Sequence, residues 1–206
     1  AFMAESRSTS RIPRWNFDPE ARAAVEALSS TRRFWTGDGG DLLFANAANW
    51  TGEGAIDLSR VRDVFVIDDQ DLVLGGKSGV PRITLAGGTL EITAGTLAGI
   101  RSGLSGGTVV VRGGALHRQF VSESHVILSG TGILRLRGGA EPINRSTIAI
   151  QGHDARIEFL AETPDEVVRK HLRKITVEGA PAVDGVTVTL TPDGEGCVLT
   201  VRKGGD

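Results

Sequence analysis

The feature that most constrains this chain is a repeat punctuated by glycine. Gly87-Gly88-Thr89-Leu90-Glu91-Ile92-Thr93-Ala94-Gly95-Thr96-Leu97 is followed, at an offset of 19 residues, by Gly106-Gly107-Thr108-Val109-Val110-Val111-Arg112-Gly113-Gly114-Ala115-Leu116. A third copy reads Gly130-Thr131-Gly132-Ile133-Leu134-Arg135-Leu136-Arg137-Gly138-Gly139, and a looser fourth joins Ile148-Ala149-Ile150-Gln151-Gly152 to Ile157-Glu158-Phe159. With Leu85, Leu104, Leu128, Ile150 and Val177 as anchors, the steps are 19, 24, 22 and 27 residues. Apolar and polar residues alternate within each copy, the period of a strand with one buried face. Glycine between copies supplies the positive φ or tight corner at which one face gives way to the next. Short strands and glycine corners at steps of about 20 residues are the pattern of a solenoid. The 28 glycines in 206 residues, well above a usual share of ~7%, belong to the same pattern.

The expected fold is all-β, a short right-handed parallel β-helix. Five coils at the spacing of paired strands make a stub roughly 24 Å long. A β-sandwich is the alternative, since it too is built of short strands and Gly-rich turns. The fixed offset between copies, and the lack of Asn-Gly or Asp-Gly turns within them, weigh against it.

Helices are expected at two places. Asp18 caps a short amphipathic segment over residues 18–30, with Pro19 at its first position and Ala21, Ala24, Val25 and Leu28 on one stripe. Thr163-Pro164-Asp165-Glu166 is a capping box leading into Val168 and Leu172, so a helix is inserted near residues 163–173 and accounts for the long last step. The domain division is an N-terminal arm and capping helix over residues 1–33 and a solenoid over residues 34–206. Two strands around Pro192-Asp193-Gly194 close the chain.

With 23 basic and 25 acidic side chains, no cationic excess points to nucleic acid. The single cysteine, Cys197, excludes an intrachain disulfide framework or a Cys-rich zinc site, and in an apolar strand it reads as a small buried hydrophobe. No apolar run approaches the ~18 residues of a membrane span. Residues 5–14 are polar and hold no apolar signal core, which leaves exported and cytoplasmic locations both open.

Phe34-Trp35-Thr36-Gly37-Asp38-Gly39-Gly40, then Asn46-Ala47-Ala48-Asn49-Trp50-Thr51-Gly52, then Asp63-Val64-Phe65-Val66-Ile67, lie ahead of the Gly-Gly coils. Over residues 34–160 this order resembles the exported bacterial β-helical proteins with autotransporter-associated strand repeats. The Pro usual before the Asp-Val strand is missing here, with Ala55-Ile56-Asp57-Leu58 in its region. The resemblance implies a secreted or cell-surface location and an adhesive, scaffolding or glycan-associated role. It implies no catalytic residue.

Alternation also places charges. If Leu134, Leu136, Ile157 and Phe159 face inward, their neighbours face out. Stacking then sets Glu91, Arg112, Arg135, Arg137, Arg156 and Glu158 on one broad face. Guanidinium groups capture carboxylates or sulfates in pairs of hydrogen bonds, so Arg112, Arg135, Arg137, Arg156 and Glu158 are the candidate binding residues for an acidic polysaccharide. A solvated face with partial Arg–Glu pairing, worth little, is the plainer reading. His117, His125, His153 and His171 show no metal-ligand spacing and read as loop or helix-surface residues. Asp68-Asp69-Gln70-Asp71 lacks the calcium-loop pattern and reads as a solvated turn. Asp38, Asp41 and Asn46 are a similar, weak cluster. Trp35 and Trp50 are expected to seal the first coil rather than stack on sugar, while Trp15 lies in the arm. No nucleophile elbow, phosphate loop or nucleotide fingerprint occurs, so no metal or other cofactor is expected.

The leading expectation is thus a non-enzymatic exported module, structural or adhesive, presenting a sheet face to a glycan or a surface protein. A polysaccharide lyase or hydrolase is the second, on fold analogy, with Arg112, Arg135 or Arg137 neutralising a uronate. A self-assembling subunit, a homo-oligomer joined through strand edges, is the third.

Overall fold

The computed structural model describes residues 32–40, 46–52, 64–67, 71–73, 83–85, 88–138 and 141–203. The expected arm and capping helix up to residue 31, Trp15 among them, lie outside the described residues, as do Asp41 and Asp68-Asp69-Gln70.

The chain winds coil upon coil. β1 (Arg32–Phe34) opens the solenoid, and β2 (Val64–Ile67), β3 (Asp71–Val73) and β4 (Ile83–Thr84) follow it. β5 (Thr89–Ile92) and β6 (Thr96–Ser105) form the next coil, then β7 (Thr108–Val111) and β8 (Ala115–Ser122). β9 (His125–Ser129), β10 (Ile133–Leu136) and β11 (Ile143–Asn144) make another, followed by β12 (Thr147–Gln151) and β13 (Arg156–Phe159). Helix α1 (Pro164–Lys170) leads to β14 (Ile175–Val177), β15 (Ala180–Pro181) and a final hairpin of β16 (Val188–Asp193) and β17 (Gly196–Val201).

One sheet runs β1-β2-β5-β7-β9-β12-β14, and a second runs β3-β6-β8-β10-β13, every pair parallel. The far halves of β6 and β8, with β4 and β11, form a third side. Parallel pairing between successive coils makes this a β-helix and excludes the sandwich.

Register turns the apolar alternation into columns. Leu90, Val109, Val126, Ile148 and Ile175 stack inside the first sheet, and Ile92, Val111, Leu128, Ile150 and Val177 stack beside them. Leu97, Leu116, Leu134 and Ile157 form the matching column of the second sheet, and Leu104, Val121 and Ile143 that of the third side. These side chains are buried, each worth roughly 1.5–3 kcal/mol of transfer free energy. The 19-residue offset is the true coil step between Thr89 and Thr108. The anchor list, however, changes face: Leu104 aligns with Val121, not with Leu128. The third Gly copy is also displaced, because Ile133–Leu136 pairs with Ala115–Arg118 on the second sheet.

Two corners differ in construction. Between the first and second sheets, Gly114 has φ +70°, and a Cβ there would stand 2.1 Å from the Gly95 carbonyl oxygen of the coil below. Between the third side and the first sheet, Gly106, Glu123 and Arg145 occupy equivalent places with φ +73°, +53° and +45°. Here side chains do the stitching. Ser146 Oγ accepts the Ser124 N–H at 3.0 Å and donates to Asn144 O at 2.9 Å, while Ser124 Oγ lies within 3.0 Å of both Gly106 O and Ser122 O.

The first and last described coils differ from the interior ones. Near β1, Trp35 and Trp50 are buried, their rings 5.0 Å apart at 89°. At the far end Thr163 and Glu166 form the expected capping box of α1, Pro164 takes its first turn, and Val167 is buried beneath it. β17 then pairs antiparallel with β13, and β15 pairs antiparallel with β14. Pro192 sits on the outer strand β16 and Pro181 on β15, so each sheet ends on an antiparallel strand carrying a proline. The closing turn is Gly194-Glu195, one residue beyond the expected span, and Pro192 and Asp193 are strand residues. No described helix is long and apolar enough to cross a membrane.

Candidate functional site

The predicted arginine face divides in two. Glu91 on β5 and Arg112, whose N–H continues the β7 ladder to Ile92 O, belong to the first sheet. Arg135 and Arg137 follow β10, and Arg156 and Glu158 lie on β13, all on the second sheet. The single broad face expected from the repeat is therefore corrected to two clusters on different sheets. Its error is the displaced third copy, which treated two different corners as one.

On the second sheet the outward row runs Ala98, His117, Arg135, Glu158 and Val198 across successive strands. Glu158 receives Arg135 Nε at 2.5 Å on one oxygen and Arg156 Nε at 2.8 Å on the other. Burial opposes its charge, but the hydrogen bonds from Arg135 and Arg156 outweigh that and hold the carboxyl below its usual range. Arg137 is exposed two residues beyond Arg135, so it shares the outward side, and its N–H bonds Arg118 O. Two guanidinium groups on one carboxylate, with Arg137 on the same outward side, leave this cluster with a net positive charge inside a slightly acidic chain.

His117, expected on a loop or helix surface, lies instead on strand β8. It stands directly beside Arg135 in register, half-buried, with Nε2 covered and without a hydrogen-bond partner among the described residues. Burial lowers its pKa first, and Arg135, Arg137 and Arg118 lower it further, against a smaller upward pull from Glu158. The signal was present in the corners: Gly114 and Gly132 both precede the second sheet, which sets Ala115-Leu116-His117 against Ile133-Leu134-Arg135.

On the first sheet Glu91 is 5% exposed and lies between Arg32 Nη2 at 2.5 Å and Arg112 Nε at 2.6 Å. Both arginines remain more than half exposed. Arg32 also approaches the Phe34 ring at 6.0 Å, so this cluster ties the opening strand to the sheet.

A third group is internal. His171 is fully buried, a correction to its expected place on the helix surface, and stacks on Phe159 with ring centroids 5.7 Å apart. Its Nε2 faces Glu162, which also takes Lys170 Nζ at 3.1 Å. Burial keeps the His171 ring below its ordinary pKa in spite of Glu162. Cys197, 1% exposed, is the small buried hydrophobe expected, and burial with nearby Glu162 and Glu166 pushes its thiol up to about 11. A protonated, covered thiol is no nucleophile. The group fastens α1 to the end of the coil. His153 is exposed, and His125, also exposed, bonds Thr147 Oγ1 at 2.8 Å.

Among the described residues no three His, Cys, Asp or Glu side chains gather as metal ligands would. Asn46 instead caps the 3-10 turn Ala47–Asn49. Inside the lumen, Arg118 is buried in the column between Gly99 and Leu136, and burial lowers its pKa to about 10. Compared with models of protein families, with curated proteins and with solved structures, the chain matches none.

Proposed function

We propose that this β-helix is a non-catalytic exported module that captures an acidic polysaccharide on the outer face of its second sheet. The observation that supports the reading is the Arg135–Glu158–Arg156 arrangement with Arg137 beside it. Glu158 engages both guanidinium groups through Nε, which holds their planes in place and leaves Nη donors for an incoming carboxylate or sulfate. Pre-set guanidinium forks lose less freedom on binding than unpaired ones. Surface or secreted placement follows from the resemblance to the strand-repeat proteins, and the ligand class from the charge.

The test is depletion of polygalacturonate, dextran sulfate and neutral dextran from solution, with new chain ends followed in the same incubation. Acidic polymers should be retained and dextran not. Replacing Arg135 and Arg137 by Ala should weaken retention at least tenfold, at ~1.5 kcal/mol or more per charge-assisted hydrogen bond. Equal retention of neutral dextran, or none of any polymer, overturns the proposal.

A second reading, lyase or hydrolase chemistry, draws support from neutral His117 beside Arg135, an available base next to a carboxylate-binding group. New chain ends would establish it in place of simple capture. Assembly through strand edges draws no support from the far end, where Pro181 and Pro192 occupy the outermost strands.

A further inference from the structure

The cluster around Glu158 contains one group that capture alone does not use. We propose that His117 makes binding of an oxyanion at this face proton-linked: with a sulfate or carboxylate across Arg135 and Arg137, its imidazole takes up a proton that it does not hold in the empty protein. The inference rests on the polysaccharide reading and deepens it, by giving the site a pH at which it fills.

Its basis is position. His117 on β8 is paired in register with Arg135 on β10, and Arg137 bonds back to Arg118 O, the residue next to His117. On the other side, β6 places Ala98 opposite His117, a residue with no charge to offer. Glu158, one strand further on, is the nearby carboxylate, and Arg135 and Arg156 already occupy its two oxygens. The imidazole thus faces Arg135 and Arg137 on the outer side, with Arg118 behind it in the lumen and a carboxylate that is already shared. In that field it rests neutral, consistent with the direction of its pKa and with a covered Nε2 that has no acceptor.

A bound oxyanion changes the balance without touching the ring. It offsets the two outward guanidinium charges, and a negative charge within a few ångströms favours imidazolium. Linkage then requires the converse: if binding promotes protonation, protonation promotes binding to the same extent. The proton comes from solvent, and no covalent bond in the ligand changes.

Dextran sulfate is the probe, because its charge is constant between pH 5 and 8, and polygalacturonate serves as the carboxylate arm. Wild-type affinity should fall about tenfold as pH rises from 5.5 to 8, while His117→Gln binds with a nearly flat profile. Calorimetry near pH 6.5 in two buffers of different ionisation enthalpy should show proton uptake by the wild type alone. An NMR titration of the wild-type His117 ring, with and without dextran sulfate, needs no variant and should show its pKa rising on binding. Binding that does not change with pH, or an equal slope in His117→Gln, overturns the inference and leaves capture standing. No binding at any pH removes both. If only one polymer shows the linkage, the ligand chemistry is narrowed to sulfate or to carboxylate.

Discussion

Two corners of this solenoid perform the same turn by opposite means. At Gly114 the coils approach so closely that a carbonyl from the coil below fills the space of a side chain. At Glu123 and Arg145 the backbone takes the same left-handed turn with ordinary residues, and buried hydroxyls of Ser124 and Ser146 satisfy the peptide groups around it. The first corner is specified by what must be absent, the second by hydrogen bonds that must be present. The difference teaches that a coil of this kind tolerates sequence change on one side far better than on the other.

Breaking the tight corner should have the largest effect. Gly114→Ala places Cβ against backbone in a left-handed conformation, and we expect a loss of about 3 kcal/mol or more, read as a lower urea midpoint or failure to fold. Wild-type stability in that variant would show that the corner can open. Ser146→Ala is milder: it strips the buried Ser124 N–H of its acceptor, at a cost of about 1–3 kcal/mol. An unchanged midpoint would mean that the hydroxyls are ornamental and the two corners alike. The smallest effect sharpens the contrast in the opposite direction. Glu123→Gly relieves a left-handed conformation at a place with room, and we expect a gain of about 0.5 kcal/mol, set against an exposed Arg145 pair of little value. A loss there of the size expected at Ser146 would show that the side chain, not the backbone, governs that turn.

This contrast also explains what could be read from the residues alone. Gly106-Gly107-Thr108 and Thr131-Gly132-Ile133 look alike as text, yet one enters the first sheet and the other the second. Glycine announces that the chain turns, not which corner it is turning. The inward columns were therefore legible, because Leu90 and Val109 share both face and spacing, while the outward charges were assigned to one face instead of two. The hydroxyl corner was invisible for a different reason. Ser122-Glu123-Ser124 and Asn144-Arg145-Ser146 share only their last serine as text, since the left-handed position holds glycine in one coil, glutamate in the next and arginine in the third. His117 reads as a loop or helix-surface residue because its place beside Arg135 depends on the register of β8 and β10. The inserted helix was plain because a capping box is local.

The antiparallel strands that close each sheet give the molecule a direction of growth. A parallel ladder repeats by translation, and any coil could accept another like it. β15 and β16 reverse the chain direction and lack an amide hydrogen at Pro181 and Pro192, so a further rung meets the wrong polarity and a missing donor. Duplication of an interior coil, whose two faces both fit their neighbours, meets no such obstacle. The closing hairpin acts as a chain terminator does in a polymer, making the number of rungs in the sheet it closes a counted, inherited number rather than an equilibrium one.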